Sequence, residues 1–144
     1  MSTIVVGVDG SAGARVALEF ALHEARLRGA DLRVVAAWEI PAIAYAGGYG
    51  PGDEKLFAEL EHEARDNAAR ALADVDADGV KLTTVVREGG SAHVLLEEAA
   101  DADLLVVGSR GLGGFRGLLL GSVSQQCAHH APCPLVIVPH RREL

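Results

Sequence analysis

Short runs of β-branched and other apolar residues alternate with longer amphipathic stretches along all 144 residues of the chain. This alternation is typical of βαβ units that build a parallel sheet with helices on both faces, an α/β fold. The apolar runs predict five strands, at residues 3–8, 32–38, 80–86, 103–107 and 135–138. Amphipathic stretches predict the helices, which follow Ser11, Asp53, Ser91 and Gly121.

Residues that begin and end helices divide the chain further. Ser11 and Ser91 are predicted N-caps, because a hydroxyl oxygen can accept hydrogen bonds from the first-turn N–H groups. Gly29 supplies a C-terminal stop for the first helix. Residues 39–52 are rich in Gly, Pro and Tyr, have no periodicity and are predicted to form a loop. Since no repeat or linker divides the chain, we expect residues 1–144 to form a single domain.

Composition excludes several classes of protein. Lys and Arg number 13 against 20 Asp and Glu, for a net charge of −7, and basic residues cluster only at Arg141 and Arg142. A nucleic-acid partner is therefore not expected. No apolar run approaches the ~20 residues that cross a membrane, and no signal peptide is recognisable. Two cysteines, Cys127 and Cys133, are too few for a disulfide framework, so we expect a soluble cytoplasmic protein.

Two glycine-containing turns follow the first and fourth predicted strands. The first turn covers residues 7–11 (GVDGS). The second covers residues 108–111 (GSRG), and nine residues later the sequence continues with residues 121–124 (GSVS). In an open parallel sheet, ligands bind at the carboxyl ends of the strands where the winding direction reverses. If the two strands are neighbours at that point, both turns face one crevice.

The second turn has the chemistry of a phosphate site. Gly108 and Gly111 can adopt positive φ and allow backbone N–H groups to approach an anion. A helix then begins at Gly121-Ser122, and its free N–H groups and dipole favour a phosphate. Hydroxyl donors are added by Ser122 and Ser124. Together these groups predict an anion site rather than a simple turn.

The first turn supplies groups that suit a nucleoside. Asp9 is placed to accept hydrogen bonds from ribose hydroxyls, and Val8 with Ala37 at the strand ends leaves an apolar slot for a flat base. A P-loop is excluded because no lysine follows Lys81. No GxGxxG follows the first strand, so a nicotinamide cofactor is not indicated.

The spacing G-x2-G-x9-G-[ST], filled here by Gly108, Gly111, Gly121 and Ser122, resembles the ATP-binding signature of the universal stress protein family. The N-terminal IVVGVDGS and the C-terminal PCPLVIVP are also similar to that family. The resemblance implies a Rossmann-like five-stranded parallel sheet in the order 3-2-1-4-5, ATP in the cleft and a homodimer. For the dimer, Leu135 to Val138 is an apolar edge strand that pairing with a second copy would cover.

The resemblance also assigns site residues. Adenine and ribose are expected at Gly7, Val8 and Asp9, with Ala37 at the base. Ribose and phosphates are expected at the residues of the second turn and the following helix start: Gly108, Ser109, Arg110, Gly111, Leu112, Gly113, Gly114, Gly121, Ser122, Val123 and Ser124.

We expect a nucleotide-dependent stress-response regulator that holds ATP, with Mg²⁺, as a bound signal. Phosphoryl transfer needs a cation on the γ-phosphate and a positioned water or base, and no catalytic residue is assigned because the loop offers glycines and serines. Arg110 and Arg116 are either phosphate partners or solvated loop charges. The alternatives are a slow ATPase or autokinase, or a binder of AMP or cyclic AMP.

No metal site is expected at His129 and His130, since consecutive helical side chains point about 100° apart.

Overall fold

The computed structural model describes residues 2–40, 54–110 and 120–140. Strands and helices alternate along these residues as the sequence predicts. In chain order they are β1 Thr3–Gly7, α1 Ala12–Arg28, β2 Asp31–Trp38, α2 Glu54–Ala73, β3 Leu82–Glu88, α3 Ser91–Glu98, β4 Leu104–Gly108, α4 Ser122–His130 and β5 Leu135–Val138. A single 3₁₀ turn, Ala99–Asp101, follows α3.

The strands pair in parallel in the order β3-β2-β1-β4-β5. β1 is central, and its Val6 lies in register with Val34 of β2 on one side and with Val106 of β4 on the other. The winding direction therefore reverses between β1 and β4. This confirms the predicted fold and strand order, and it brings the two glycine-containing turns to the same edge of the sheet.

The core has two halves because successive strand residues point to opposite faces. Ile4 and Val6 of β1 belong to the half that α1 and α2 cover, whereas Val5 belongs to the half that α3 and α4 cover. The helices of the first half contribute mainly small residues, which allow close packing: Ala14, Ala17, Ala21, Ala25, Ala64 and Ala68. Burial on both faces explains why the strands are nearly continuous apolar runs.

The helix ends confirm two of the three predicted caps. The Ser11 hydroxyl oxygen accepts a hydrogen bond from the Ala14 N–H (3.1 Å), and Gly29 ends α1 in the left-handed conformation with φ 62°. The prediction for Ser91 is wrong, because Gly90 is the N-cap of α3 and Ser91 is its first helical residue. The chain turns one residue early because Gly89 adopts φ 139° and donates its N–H to the Trp38 carbonyl (2.8 Å).

Most other boundaries agree with prediction to within one residue. β3 is the exception, because it begins two residues late and its pairing with β2 continues to Trp38 and Glu88. The predicted loop 39–52 lies outside the described residues except for residues 39 and 40. No helix within the described ranges has the length and apolar character to cross a membrane.

Candidate functional site

A cavity of about 620 Å³ opens at the carboxyl ends of the strands, where the winding reverses. Residues from both predicted turns line it, including Asp9 from the β1 turn and Arg110 from the β4 turn. Typical small-molecule sites measure about 300–1,000 Å³, and they occur at such switch points in open α/β sheets. The position and size of the cavity therefore fit a ligand about as large as a nucleotide.

The side chains of the turn after β1 accept hydrogen bonds from the backbone of the turn and of the helix that follows it. Gly7, Val8, Asp9 and Ser11 all line the cavity. The Asp9 carboxylate oxygen Oδ1 accepts a hydrogen bond from the Ser11 N–H (2.9 Å), while Ser11 caps α1. One oxygen of Asp9 thus holds the turn in place, and the N-terminus of α1 has a side-chain acceptor.

The turn after β4 is fastened to the start of α4 through Ser109. Its carbonyl oxygen accepts hydrogen bonds from the Gly121 N–H (2.6 Å) and from the buried Ser124 hydroxyl (2.9 Å). The same hydroxyl lies 2.9 Å from the Gly121 carbonyl oxygen, to which it can also donate. Among the described residues, Ser109 does not line the cavity, whereas Gly108, Arg110 and Ser124 do.

Helix α4 begins at the cavity without a side-chain cap. Its N-cap is Gly121, in extended conformation, and no side chain of the described residues makes a capping hydrogen bond there. Gly121, Ser122, Val123 and Ser124 line the cavity. The first N–H groups of a helix lack partners within it and carry the positive end of the dipole. A helix start with the chemistry to attract an anion thus borders the cavity.

Gly108 corrects one prediction. Its φ is not positive. A glycine is needed at this position because two segments of backbone approach each other too closely for a side chain. A Cβ atom at Gly108 would lie 2.9 Å from the Gly13 carbonyl oxygen, and one at Gly13 would lie 2.6 Å from the Arg110 carbonyl oxygen. Gly13 was not predicted from the sequence. The first turn of α1 therefore packs directly against the turn after β4, and a Cβ at either glycine would separate them.

The wall on the β2 side is apolar and includes Ala37, the residue expected at the base, together with Val35, Ala36 and Leu95. The wall formed by α2 was not predicted from the sequence. Its cavity-lining residues are spaced like one face of a helix: Leu60, Glu63, Ala64 and Asn67.

Charged groups around the cavity are mostly acidic. In the described ranges, Asp9, Glu39 and Glu63 line it with Arg110. The predicted site residues Gly111, Leu112, Gly113 and Gly114, together with Arg116, lie outside the described residues.

Both cysteines are free thiols, and neither lines the cavity in the part of the chain that the structure describes. Burial raises the pKa of the Cys127 thiol to about 11. Burial also raises the pKa of Cys133, and the negative charge of Asp103 adds to that shift. Both side chains are therefore protonated at neutral pH, which makes them poor nucleophiles.

Across residues 2–40, 54–110 and 120–140, no three His, Cys, Asp or Glu side chains form a group that could hold a metal ion.

Comparison with known proteins agrees with the geometry. A model of the universal stress protein family matches residues 1–139. The chain belongs to this family. A universal stress protein of Thermus aquaticus is 38% identical over 144 residues, which cover 94% of this chain and 97% of that protein. A universal stress protein of Mycolicibacterium smegmatis is 40% identical, but the match covers 96% of this chain and only 46% of that protein. The chain thus spans less than half the length of that relative.

The chain is also similar to a solved structure of the family that carries a ligand. A universal stress protein in complex with cAMP is 30% identical to this chain, with a TM-score of 0.63, and the match covers 97% of this chain and 98% of that one. The universal stress protein fold and an adenine nucleotide therefore occur together in a relative of this chain.

Proposed function

We propose that the chain binds ATP, with Mg²⁺, in the cavity at the switch point and acts as a nucleotide-dependent regulator of a stress response in the cytoplasm. The observation that carries this proposal is the uncapped N-terminus of α4, where Gly121 to Ser124 line the cavity. Backbone N–H groups at a helix start bind phosphate through hydrogen bonds and the helix dipole. The membership of the family and the cAMP complex of a relative support a nucleotide.

The proposed ligand spans the cavity from α4 to β2. Ribose hydroxyls donate to the Asp9 carboxylate, and the base lies between Val8 and Ala37, both of which line the cavity. The phosphates meet Gly108, Arg110 and the start of α4, and the family motif extends this site to Gly111, Leu112, Gly113 and Gly114. Ser109 and Ser124 are assigned the positioning of this turn, because their polar groups hold the end of β4 to α4.

A change of charge at the start of α4 tests this placement. Ser122 is the first helical residue, and its exposed side chain lines the cavity. Glutamate at this position favours the helix dipole but repels phosphate, so we expect Ser122→Glu to fold normally and to lose ATP affinity. Ala128→Glu adds the same charge to an exposed position of α4 that does not line the described cavity. In calorimetry with ATP and Mg²⁺, equal affinities for the two variants would contradict the site.

The second candidate function is binding of AMP or cyclic AMP as the physiological ligand. The cAMP complex of the 30% identical relative favours it. Calorimetry of the wild type with ATP, AMP and cyclic AMP separates the candidates, and mass spectrometry of nucleotide released from the purified protein identifies the ligand carried from the cell. Tighter binding of cyclic AMP than of ATP would replace ATP in the proposal.

We expect little ATP turnover. Backbone N–H groups that bind ground-state phosphates do not by themselves lower a barrier, because only interactions stronger in the transition state do so. Arg110 is the cation among the described lining residues, and no lysine follows Lys81 in the sequence. A single-turnover assay with labelled ATP is run on the wild type and on Arg110→Ala. Hydrolysis near the ~1–100 s⁻¹ of kinases, lost in the variant, would favour an ATPase.

A homodimer through β5 is part of the proposal. β5 is an edge of the sheet, and Leu135, Val136, Ile137 and Val138 are partly exposed and uncharged. Such an edge is open to pairing with a second copy. We expect a dimer mass in light scattering and a shift towards monomer in Val136→Lys. Thr84→Lys adds the same charge to an exposed residue of the opposite edge, β3, and should keep the dimer. A monomeric wild type at micromolar concentration would contradict the assembly.

A further inference from the structure

Glu39 borders the cavity where β2 ends. It directly follows Trp38, the last residue of β2, and its side chain lines the cavity. β2 and β4 flank β1, so two strand spacings, about 10 Å, separate them. A nucleotide with phosphates at α4, which follows β4, therefore extends its base towards β2 and Glu39.

The surroundings of Glu39 suit the edge of a base. The neighbouring wall is apolar, with Val35, Ala36, Ala37 and Leu95. A flat heterocycle fits such a wall, but its polar edge then needs a partner. Among the described lining residues, Glu39 is the charged residue that comes directly after the end of β2, next to this apolar wall.

The exposed Glu39 carboxylate lies beside the N-terminus of α3. Its oxygen Oε2 lies 3.8 Å from the position of a Cβ at Gly90, the N-cap of α3. No side chain of the described residues makes a capping hydrogen bond at this helix start, so the dipole of α3 favours the nearby carboxylate. No hydrogen bond or ion pair joins that carboxylate to any other group of the described chain. Glu39 thus presents an acceptor to the base end of the cavity.

We infer that Glu39 is a specificity-determining residue that accepts a hydrogen bond from the 6-amino group of adenine, an inference that rests on the proposed nucleotide site. A carboxylate only accepts hydrogen bonds, and the 6-amino group of adenine is a donor. A purine without this amino group leaves the carboxylate without that partner. The bond is charge-assisted, and such bonds change affinity by roughly 10- to 100-fold.

The test uses two ligands that differ only in this group. Calorimetry measures the Kd of ATP and of purine riboside 5′-triphosphate, which lacks the 6-amino group but keeps the phosphates. We expect the wild type to prefer ATP by about tenfold or more. Glu39→Ala should bring the two affinities together, whereas Glu39→Gln, which keeps an acceptor oxygen, should retain part of the preference.

Glu88→Ala is the matched control. Glu88 is exposed, lies in register with Trp38 at the end of β3 and does not line the described cavity. Its variant removes the same charge and should keep the wild-type preference. The inference is overturned if Glu39→Ala keeps the preference, or if Glu88→Ala loses it equally. A wild type that binds both triphosphates equally overturns this inference alone, whereas one that binds neither overturns the proposed function as well.

Discussion

Helices α1 and α4 both begin at the cavity, but their N-termini differ in whether a side chain caps them. At α1, the Ser11 hydroxyl accepts from the Ala14 N–H, and the Asp9 carboxylate accepts from the Ser11 N–H. At α4, the N-cap is Gly121 and no side-chain cap is present among the described residues. The buried hydroxyl in the first turn of α4, that of Ser124, donates to carbonyl groups instead.

This difference indicates where an anion belongs. A helix start that carries its own acceptor has less need of a ligand, whereas an uncapped start leaves N–H groups and the positive dipole end for one. Helix α3, which also reaches the cavity through Ser91, has the Glu39 carboxylate beside its N-cap. Among the helix starts that line the described cavity, α4 is therefore the one suited to phosphate.

Giving α4 its own side-chain cap should have the largest effect on ATP binding. Gly121 is in extended backbone that other residues adopt, with φ −76° and ψ 171°. In Gly121→Asp the carboxylate competes with phosphate for the N–H groups of Val123 and Ser124. We expect the free energy of unfolding to rise by a few tenths of a kcal/mol, while ATP affinity falls roughly 10- to 100-fold. Thermal unfolding and calorimetry measure the two effects.

The control for this variant is Ser11→Asp, which places the same charge at the helix start that already has a cap. We expect its ATP affinity to fall by much less, because the N–H groups of α1 are not the proposed phosphate site. Equal losses in both variants would attribute the effect to charge in the cavity rather than to competition at α4.

The contact between the start of α1 and the turn after β4 should show the next largest effect. A Cβ at Gly13 would meet the backbone oxygen of Arg110 at 2.6 Å, and backbone cannot move aside cheaply. We expect Gly13→Ala to lower the free energy of unfolding by about 1–3 kcal/mol and to weaken ATP binding, because it separates α1 from this turn. In the control Gly7→Ala, the nearest atom is Cδ1 of the Leu95 side chain at 2.9 Å, which can shift. Denaturant unfolding should show a smaller loss for Gly7→Ala, and equal losses would contradict this account.

The fold could be predicted from the sequence because its signals are local. Apolar runs place the strands, and the N-cap Ser11 and the C-cap Gly29 define α1 within one residue. The strand order came from the family resemblance, since no local pattern states which strands are neighbours. β3 was misplaced by two residues because its bounds depend on pairing with β2 as far as Trp38.

Parts of the candidate site could not be predicted because they depend on distant contacts. Gly13 is needed because Arg110, far along the chain, packs against it. Glu63 lines the cavity from α2, although a charged residue in an amphipathic helix is normally expected on the solvent side. The hydroxyl direction of Ser124 is set by the Ser109 carbonyl group, which only the fold brings near.

Removing the cap of α1 should have a moderate effect, and on stability alone. Ser11→Ala leaves the Ala14 N–H without its side-chain acceptor, which should lower the free energy of unfolding by about 1 kcal/mol. Ser122→Ala, at the start of α4, should change it by less than about 0.5 kcal/mol, because Ser122 is exposed and caps nothing. Both are measured by denaturant unfolding. A larger loss in Ser122→Ala than in Ser11→Ala would contradict the assignment of the caps.

A last contrast between α1 and α4 concerns how the two helices are packed against the sheet. α1 buries seven residues, whereas the buried residues of α4 are Ser124 and Cys127. Burial raises the pKa of Cys127 from 9.0 to about 11, so the folded state binds this proton more tightly than the unfolded chain does. As pH rises from about 9 towards 11, the unfolded state loses the proton first and stability falls. At pH 7 both states are protonated, and the effect is absent.

Thermal unfolding of the wild type and Cys127→Ala between pH 7 and pH 10.5 tests this dependence. Alanine removes a buried side chain, so the variant should be less stable at neutral pH. It also removes the titrating thiol, so the wild type should lose stability faster above pH 9 and the difference in Tm should narrow. Cys133→Ala, which changes a more exposed thiol, serves as the comparison. If the Tm difference between the wild type and Cys127→Ala stays constant up to pH 10.5, titration of this thiol does not contribute to the pH dependence of stability.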